Sequence, residues 1–375
     1  DCKKIVGLIQ IVPEDMPNFY NARFRHAVHY KSVLHEADEM YIRGGDFIEQ
    51  SLRIFEREYE NIHAGQMWAA QNWRRGRKIS ELCDDFAHAG AHLIYLRLHP
   101  RERILWLEAA LAAARRLKNV HSESRHCGNL GLAYAALGEM EKAAALYRRA
   151  LTLSRKIGDR QAEGKDLCNL GNVHNNIGET ERALECYEQA LQIAREIDDC
   201  RSVCTALGNL GMIHYDLGDA KKAIDYHQQA LQISRELGDR HSEAQDLGNL
   251  SLAYLALGET RKARSFLQQN LSLVRALGDR RGEGNALGNL GNIHFAARNF
   301  NKAVAAYERQ LSIAREIGDA TGQANALFNM GVALGDSGER ERAVAHARAA
   351  LAIYERIGGA TASQVREQLT AWGEA

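Results

Sequence analysis

A 40-residue unit recurs along this chain and limits its fold more than any other feature. Clear copies begin at residues 121, 161, 201, 241, 281 and 321, with no insertion or deletion between them. A degenerate copy in the same register fills residues 81–120. Self-similarity at a fixed period is the sequence signature of repeat architectures. The chain is therefore predicted to stack one supersecondary unit several times.

Each copy is predicted to form a helical hairpin. In residues 201–240, Leu207 and Leu210 belong to a set of residues with the three- and four-residue spacing of an amphipathic helix. Gly218 can adopt the left-handed conformation that ends a helix, and Asp219 can cap the helix that follows. A second segment with the same apolar spacing ends at another glycine. One hairpin cannot bury its apolar face alone, whereas stacked hairpins can, so the expected fold class is all-α.

Small residues recur at one position of each predicted helix. A glycine within a helix costs about 1 kcal/mol relative to alanine, so its recurrence needs a reason. Close packing by another helix is one reason, and contact with a ligand is the alternative. The glycines of the first helix are Gly131, Gly171, Gly211, Gly291 and Gly331. The alanines of the second helix are Ala143, Ala183, Ala223, Ala263, Ala303 and Ala343.

The unit resembles the tetratricopeptide repeat, whose pattern places Leu-Gly, an aromatic residue, Gly, Ala, a second aromatic residue and Ala at fixed offsets. The usual period of that family is about 34 residues. The longer unit found here is similar to the repeats of a spindle-orientation adaptor rich in Leu-Gly-Asn, and to the C-terminal repeats of bacterial STAND-type signalling ATPases. In the copy at residues 161–200 the pattern positions hold Leu170, Gly171, His174, Gly178, Ala183, Tyr187 and Ala190.

The chain departs from the family pattern at several positions. Ser251 replaces the glycine of the first helix, and Arg298 replaces the glycine of the turn. Leu334 and Ala347 stand where aromatic residues are expected, so we interpret the last copy as a capping copy. In the degenerate copy, Arg103 replaces the small alanine of the second helix.

The resemblance implies a right-handed superhelical solenoid with the first helix of each copy along its inner, concave wall. Opposite their core side, these helices carry copy positions 5, 9 and 12, at 100° per residue. Position 9 is Asn in all clear copies, and its donors and acceptors suit a peptide backbone. Alternatively, these asparagines bond to neighbouring helices and fix the stacking. The candidate groove residues are Arg125, Asn129, Lys165, Asn169, Asn172, Asn209, Gln245, Asn249, Asn285, Asn289, Asn292, Asn325 and Asn329.

The predicted second helices also carry a recurring arginine, followed four residues later by an aspartate. The arginines could form a basic rail for an acidic ligand. Alternatively, they complement the dipole at the helix C-terminus, while the aspartates cap or turn the loop. The pairs are Arg155 and Asp159, Arg195 and Asp199, Arg235 and Asp239, Arg275 and Asp279, and Arg315 and Asp319.

The composition argues against several classes of function. Lys and Arg together number 48, as do Asp and Glu, so no net charge attracts nucleic acid or an anionic membrane. The seven cysteines lack a metal-type spacing, which fits a reduced, cytoplasmic setting. The sequence has no apolar run of membrane-spanning length and no secretory signal.

Signals for catalysis are weak. His88 and His92 stand four residues apart, close to two aspartates, and could pair as metal ligands; chance spacing among 15 histidines is the alternative. Ala89 follows His88 where the zinc-protease motif needs Glu. The sequence also lacks a phosphate loop and a nucleophile elbow. We therefore predict no enzyme activity, metal or cofactor for this chain.

Three regions are predicted. Residues 1–80 form an N-terminal helical bridge, residues 81–360 hold the degenerate copy and six clear repeats, and residues 361–375 form a capping helix. Residues 5–12 could be a strand or the tail of a preceding domain. Three helices are expected after them, the third beginning near Asn61, a good N-cap residue.

The bridge carries a second resemblance. The string Glu58 to Ile62, followed by a helix with Ala and Trp, is similar to the connection that STAND ATPases place between their winged-helix module and their repeats. An ordinary helical cap for the solenoid is the alternative. Since the chain begins with Asp1 rather than Met, we expect a fragment of a longer protein with an upstream nucleotide-binding domain.

The sequence thus predicts a repeat domain that binds a protein or peptide in its groove, with neither nucleic acid nor a membrane as partner. The STAND resemblance implies the ligand-sensing part of a signalling ATPase, in which ligand capture releases the nucleotide-binding module to oligomerise. A free-standing scaffold or adaptor is the alternative.

Overall fold

The computed structural model describes residues 17–357 and 361–374, and in these ranges it contains α-helices and one short 3₁₀ helix but no strand. The fold class predicted from the repeat, an all-α array of helical hairpins, is confirmed. The strand considered for residues 5–12 lies outside the described residues.

A group of helices precedes the clear repeats. α1 (Pro17–Arg43) and α2 (Phe47–Asn72) pack against each other. The turn between them is made by Gly44 and Gly45, whose φ angles are +74° and +59°. The elements that follow are a 3₁₀ turn (Trp73–Arg75), α3 (Arg77–Ala89), α4 (Ala91–Arg97) and α5 (Pro100–Leu117).

The prediction that a helix begins near Asn61 is wrong, because α2 runs unbroken through that residue. Phe55, Ile62 and Ala69 are buried at seven-residue intervals. Only a continuous helix keeps residues with this spacing on one face. The burial of this apolar stripe outweighs the capping tendency of Asn61.

Twelve helices form the clear repeats. Each copy contributes a first helix and a second helix that pack on each other as a hairpin. In chain order they are α6 (Val120–Ala136), α7 (Met140–Ile157), α8 (Arg160–Asn176), α9 (Thr180–Glu196), α10 (Cys200–Asp216), α11 (Ala220–Glu236), α12 (Arg240–Ala256), α13 (Thr260–Ala276), α14 (Arg280–Ala296), α15 (Phe300–Glu316), α16 (Ala320–Asp336) and α17 (Arg340–Ile357), followed by α18 (Ala362–Ala371).

Helix ends in the repeats follow the predicted turn chemistry. Gly218 has a φ of +78°, and Arg298, which replaces a turn glycine, adopts the same left-handed region with a φ of +57°. The recurring aspartate accepts a hydrogen bond from the backbone N–H three residues later and so caps the first helix. These caps are Asp159, Asp199, Asp239, Asp279 and Asp319.

Recurring arginines join successive hairpins. Arg155 Nε donates to Glu163 Oε1 at 2.8 Å, and the Glu163 side chain is 7% exposed. Equivalent bonds join Arg115 to Glu123, Arg235 to Glu243 and Arg275 to Glu283. Three of the five arginines considered for a basic rail, Arg155, Arg235 and Arg275, are therefore engaged by carboxylates of the next copy. Arg195 and Arg315 have Val203 and Gln323 at the corresponding positions.

The recurring glycines accommodate aromatic rings of the same hairpin. A Cβ atom on Gly131 would lie 2.7 Å from the ring of Tyr147, and one on Gly171 would lie 2.6 Å from the ring of Tyr187. Both tyrosines are buried. At these two positions the packing interpretation is confirmed.

Contacts divide the chain into two compact units, residues 1–197 and 198–375. The first unit has a core that includes Phe86 and Trp106. The second unit has a core that includes Leu250 and, near its end, the residues of α17 and α18.

Candidate ligand-binding groove

The predicted site residues on the first helices differ in solvent exposure according to their copy position. Every residue at copy position 5 is exposed, and every asparagine at position 9 is half-buried. Among the described residues, no hydrogen bond holds the amide side chains of five of these asparagines to a neighbour: Asn129, Asn169, Asn249, Asn289 and Asn329. Within the described residues, the structure therefore shows no hydrogen bond through which these five side chains would fix the stacking.

The two asparagines at copy position 12, and Asn325 at position 5, do accept hydrogen bonds from neighbouring side chains. Tyr187 donates its hydroxyl hydrogen to Asn172 Oδ1 at 2.7 Å, and Tyr307 donates to Asn292 Oδ1 at 2.8 Å. Asn325 accepts an equivalent bond from Tyr354. Each of these amides is thus engaged by a tyrosine of its own hairpin, a contact that sequence reasoning did not anticipate.

Four predicted residues converge in the first unit. Arg125 and Asn129 from α6, with Lys165 and Asn169 from α8, line a groove of about 530 Å³. The hairpin repeat brings them together, because the same copy positions recur on two first helices of successive copies. The groove combines two exposed cations with two amides that can donate and accept hydrogen bonds.

Asp166 also lines this groove, close to Lys165 in sequence but buried. Burial raises the pKa of Asp166 to about 7, although a hydrogen bond from Ser154 acts in the opposite direction. Near neutral pH the groove therefore carries a carboxyl group whose charge changes with small changes of pH.

Asn172 lies on α8 in the first unit but does not line this groove. The other predicted residues lie in the second unit, on α10, α12, α14 and α16. Two cavities of that unit, of about 450 and 300 Å³, are lined by other side chains, among them Arg240, Arg264 and Gln268. The residues not brought into either cavity are Asn209, Gln245, Asn249, Asn285, Asn289, Asn292, Asn325 and Asn329.

His88 and His92, considered above as a pair of metal ligands, contact different side chains in the structure. His92 Nδ1 lies 2.9 Å from Asp38 Oδ2, whereas His88 stacks on His126 with ring centres 4.4 Å apart. His126 Nε2 lies 2.6 Å from Asp84 Oδ1. Ligand atoms of Asp84, His88 and His126 all lie within 4.8 Å of one another.

The geometry of this cluster favours hydrogen bonding over metal binding. The two imidazole rings are stacked with planes only 12° apart. An imidazole nitrogen binds a metal in the plane of its ring, and one ion cannot lie in the planes of two parallel, stacked rings. Burial lowers the pKa of His126, so the neutral ring donates its Nε2–H to Asp84. Burial alone would raise the pKa of Asp84, but the bonds from His126 and His88 hold it below its usual range.

Sequence reasoning missed an apolar cavity of about 460 Å³ in the first unit. Its lining includes Ile94, Leu96, Arg103 and Leu107, and it shares Asn129 with the polar groove. The sequence did contain a signal, because Arg103 replaces a small alanine of the repeat. That substitution indicated degeneracy, but nothing in the sequence showed that the space around it would stay open.

The hairpins and their exposed polar positions define a helical-repeat protein. The family model for the tetratricopeptide repeat matches residues 123–196, 202–276 and 282–356, which together make up more than half of the chain. The chain therefore belongs to the tetratricopeptide repeat family. No curated protein matches the sequence.

Solved structures share this fold at low sequence identity. A Rap protein complexed with competence and sporulation factor has a TM-score of 0.60 at 13% identity, over 90% of this chain and 99% of its own. Aspartyl phosphate phosphatase F from Bacillus subtilis gives 0.56 at 13% identity, over 92% and 94%. The apo quorum sensor NprR from B. thuringiensis gives 0.55 at 15% identity, over 90% and 99%. At this level of identity the similarity establishes the fold alone.

None of the helices within the described residues has the length and apolar character needed to cross a membrane.

Proposed function

We propose that this chain binds a peptide, or an extended segment of a protein, along the exposed polar faces of its first helices. The observation that carries the proposal is the groove of Arg125, Asn129, Lys165 and Asn169. Unbonded amides on two first helices of successive copies can pair with the N–H and C=O groups of an extended chain, and the exposed Arg125 and Lys165 can pair with acidic residues of the ligand. The solved complex of a Rap protein with competence and sporulation factor supports a ligand role for this fold.

We further propose that the chain is the ligand-sensing part of a larger signalling ATPase of the STAND type, in the cytoplasm. In this proposal residues 1–80 are the bridge to an upstream nucleotide-binding domain, residues 81–360 sense the ligand, and residues 361–375 close the array. The bridge-like string at Glu58 to Ile62 supports it. A free-standing scaffold or adaptor is the second candidate, supported by the likeness of the repeat to that of the Leu-Gly-Asn adaptor.

Peptides selected from a random display library on the purified chain test the groove. Replacing Asn129 and Asn169 together by Ala should weaken binding of the selected peptides by about tenfold or more, because two pairs of hydrogen bonds are lost. Lys165→Glu should weaken binding of acidic peptides further. Fluorescence anisotropy measures the affinities, and circular dichroism checks that the helical melt is unchanged.

Two matched controls use exposed residues outside the groove. Lys156→Glu on α7 and Asn176→Ala at the end of α8 repeat the same chemical changes on exposed positions and should leave affinity unchanged. Selected peptides that bind the groove variants as tightly as the parent chain would place the ligand elsewhere. Failure to select any peptide would remove the proposed function.

The intact mass and reading frame of the native protein distinguish the sensor of a signalling ATPase from the free-standing adaptor. An upstream phosphate-loop domain would support the sensor. A native protein that comprises the repeats and the bridge alone would support the adaptor.

A further inference from the structure

Arg103 is a buried cation without a carboxylate partner. It is 7% exposed, its Nε has no hydrogen-bond partner, and no carboxylate within residues 17–357 and 361–374 pairs with it. Its guanidinium carbon lies 4.6 Å from the centre of the Tyr95 ring. Burial lowers the pKa of Arg103. An unpaired buried charge is costly, so this side chain needs an explanation beyond packing.

The explanation lies in the apolar cavity that Arg103 lines. Ile94, Leu96 and Leu107 supply apolar walls, and Arg103 is the single arginine or lysine among the lining residues. The volume of about 460 Å³ falls within the range of small-molecule sites, about 300–1,000 Å³. Leu96 is half-exposed at 49%, which leaves an apolar entrance.

The repeat shows how this cavity arose. In the next copy, Tyr147 fills the interior of the hairpin against Gly131, and Ala143 is fully buried beside it. In the degenerate copy the equivalent positions hold Leu107, Ala91 and Arg103. A smaller side chain replaces the ring, and a cation replaces a methyl group, so a packed interior becomes a cavity with one positive charge.

We propose that this cavity binds a small monocarboxylic acid with an apolar body, its carboxylate paired with Arg103. A guanidinium matches a carboxylate with two parallel hydrogen bonds, and the ligand thereby supplies the partner that the protein lacks. The hydrocarbon part of the acid packs against Ile94, Leu96 and Leu107. Arg103 is the single arginine or lysine of a mainly apolar lining, which also includes His92 and Asn129; one such cation suits one carboxylate and not a polyanion. The cavity shares Asn129 with the polar groove, but this proposal does not depend on the peptide function.

Octanoate and 4-phenylbutyrate test the proposal, with octanamide and 4-phenylbutyramide as neutral counterparts. Isothermal titration on the full chain should show that the acids bind about tenfold or more tightly than their amides, because only a carboxylate offers Arg103 a negative charge and two acceptor oxygens. The NMR resonance of the Arg103 Nε–H group should shift with the acids alone. Arg103→Met should abolish the preference for acids.

Arg115→Met provides the matched control, since Arg115 lies on the same helix, half-exposed, and pairs with Glu123. This variant should keep the preference for acids over amides. Without ligand, Arg103→Met should melt at a higher temperature than the parent, because an unpaired buried charge is removed. A lower melting temperature would show that Arg103 supports the fold, and would overturn the proposal.

Two binding results would also overturn it. One is equal affinity for acids and amides, or no binding of either acid at millimolar concentration. The other is binding restricted to N-acetyl-Ala-Ala-Leu with a free carboxyl terminus, which would make the occupant a peptide end instead of a small acid. Because these probes are measured without a groove peptide, failure here leaves the proposed peptide function standing.

Discussion

Two buried aspartates pair with serines of the preceding copy. Ser154 Oγ donates to Asp166 Oδ2 at 3.3 Å, and Ser234 Oγ donates to Asp246 Oδ2 at the same distance. Buried polar groups need such hydrogen-bond partners. Accordingly, the serine and the aspartate occur together, or are both replaced, at these two positions of the repeat. Four clear copies lack the aspartate. Three of them pair alanine with an apolar residue, Ala206 with Ala194, Ala286 with Val274 and Ala326 with Ala314, and the fourth pairs His126 with Ala114.

The Asp166→Asn variant should have a stability that depends less on pH. Burial raises the pKa of Asp166 to about 7, above its value of about 3.9 in an unfolded chain. The folded state thus holds the proton more tightly, so this group contributes stability that is present below about pH 4 and lost as pH rises through about 7. Through this group the parent should lose roughly 1–4 kcal/mol of unfolding free energy between about pH 4 and pH 8.

Urea denaturation of parent and variant across that pH range measures the difference. At about pH 8 the variant should be the more stable, and at about pH 4 the two should be similar. A difference that does not change with pH would contradict the prediction.

At the scale of the hairpin, one position on the first helix and one on the second vary together in five of the six clear copies; the last copy keeps Gly331 opposite Ala347. Glycine faces a tyrosine or histidine ring in four copies, as in the pair of Gly211 and His227. Where the ring is replaced by Leu267, the first helix carries Ser251 in place of glycine. Close-packed interiors conserve total volume. The larger side chain of Ser251, which replaces the repeat glycine, is therefore compensated by the smaller side chain of Leu267, which replaces the ring.

Gly291→Ala should destabilise the second unit. Its Cβ would meet the ring of Tyr307, which is 2% exposed and cannot easily move. Overpacking of this kind costs about 1–3 kcal/mol, more than the gain of about 1 kcal/mol from better helix propensity. Chemical denaturation measures the change.

Gly208→Ala is the matched control, because no atom lies within 4 Å of its added Cβ; it should be neutral or stabilising by up to about 1 kcal/mol. Adding Tyr307→Leu to Gly291→Ala should recover part of the loss, as in the natural pair of Ser251 and Leu267. A stable Gly291→Ala variant would mean that the ring of Tyr307 shifts freely.

Within each unit, the repeat helices contact mainly their neighbours in sequence. In such arrays stability is a sum of unit terms and nearest-neighbour terms, and end units need a cover. α18 provides that cover in the second unit, where it packs on α17 and buries Val365 and Leu369.

Leu369→Ala should therefore act locally. The loss of a buried leucine costs about 2–5 kcal/mol, and hydrogen exchange should speed up in α16 and α17 while α6 to α9 in the first unit keep their protection. Arg366→Ala, on the exposed side of α18 in a pair with Glu355, should change stability by at most about 1 kcal/mol. Faster exchange throughout both units would show that the chain unfolds as one block.

Much of the candidate site could be predicted from the repeat. The period placed Asn129 and Asn169 on equivalent outward faces, and the structure keeps their amides unbonded within the described residues. Asn172 and Asn292 were less predictable, because their tyrosine partners lie 15 residues away. Whether a hydroxyl reaches an amide depends on how closely two helices pack.

The sequence by itself determined the all-α hairpin repeat, its turns and its aspartate caps, because these depend on apolar spacing and local backbone chemistry that recur within 40 residues. Only the tertiary structure decided that α2 continues through Asn61, that Arg155 bonds to Glu163, and that Arg103 faces an open cavity. Each of these outcomes depends on the volume and polarity of side chains from different helices. Such packing terms are absent from any local pattern, and in a close-packed interior they outweigh local propensity.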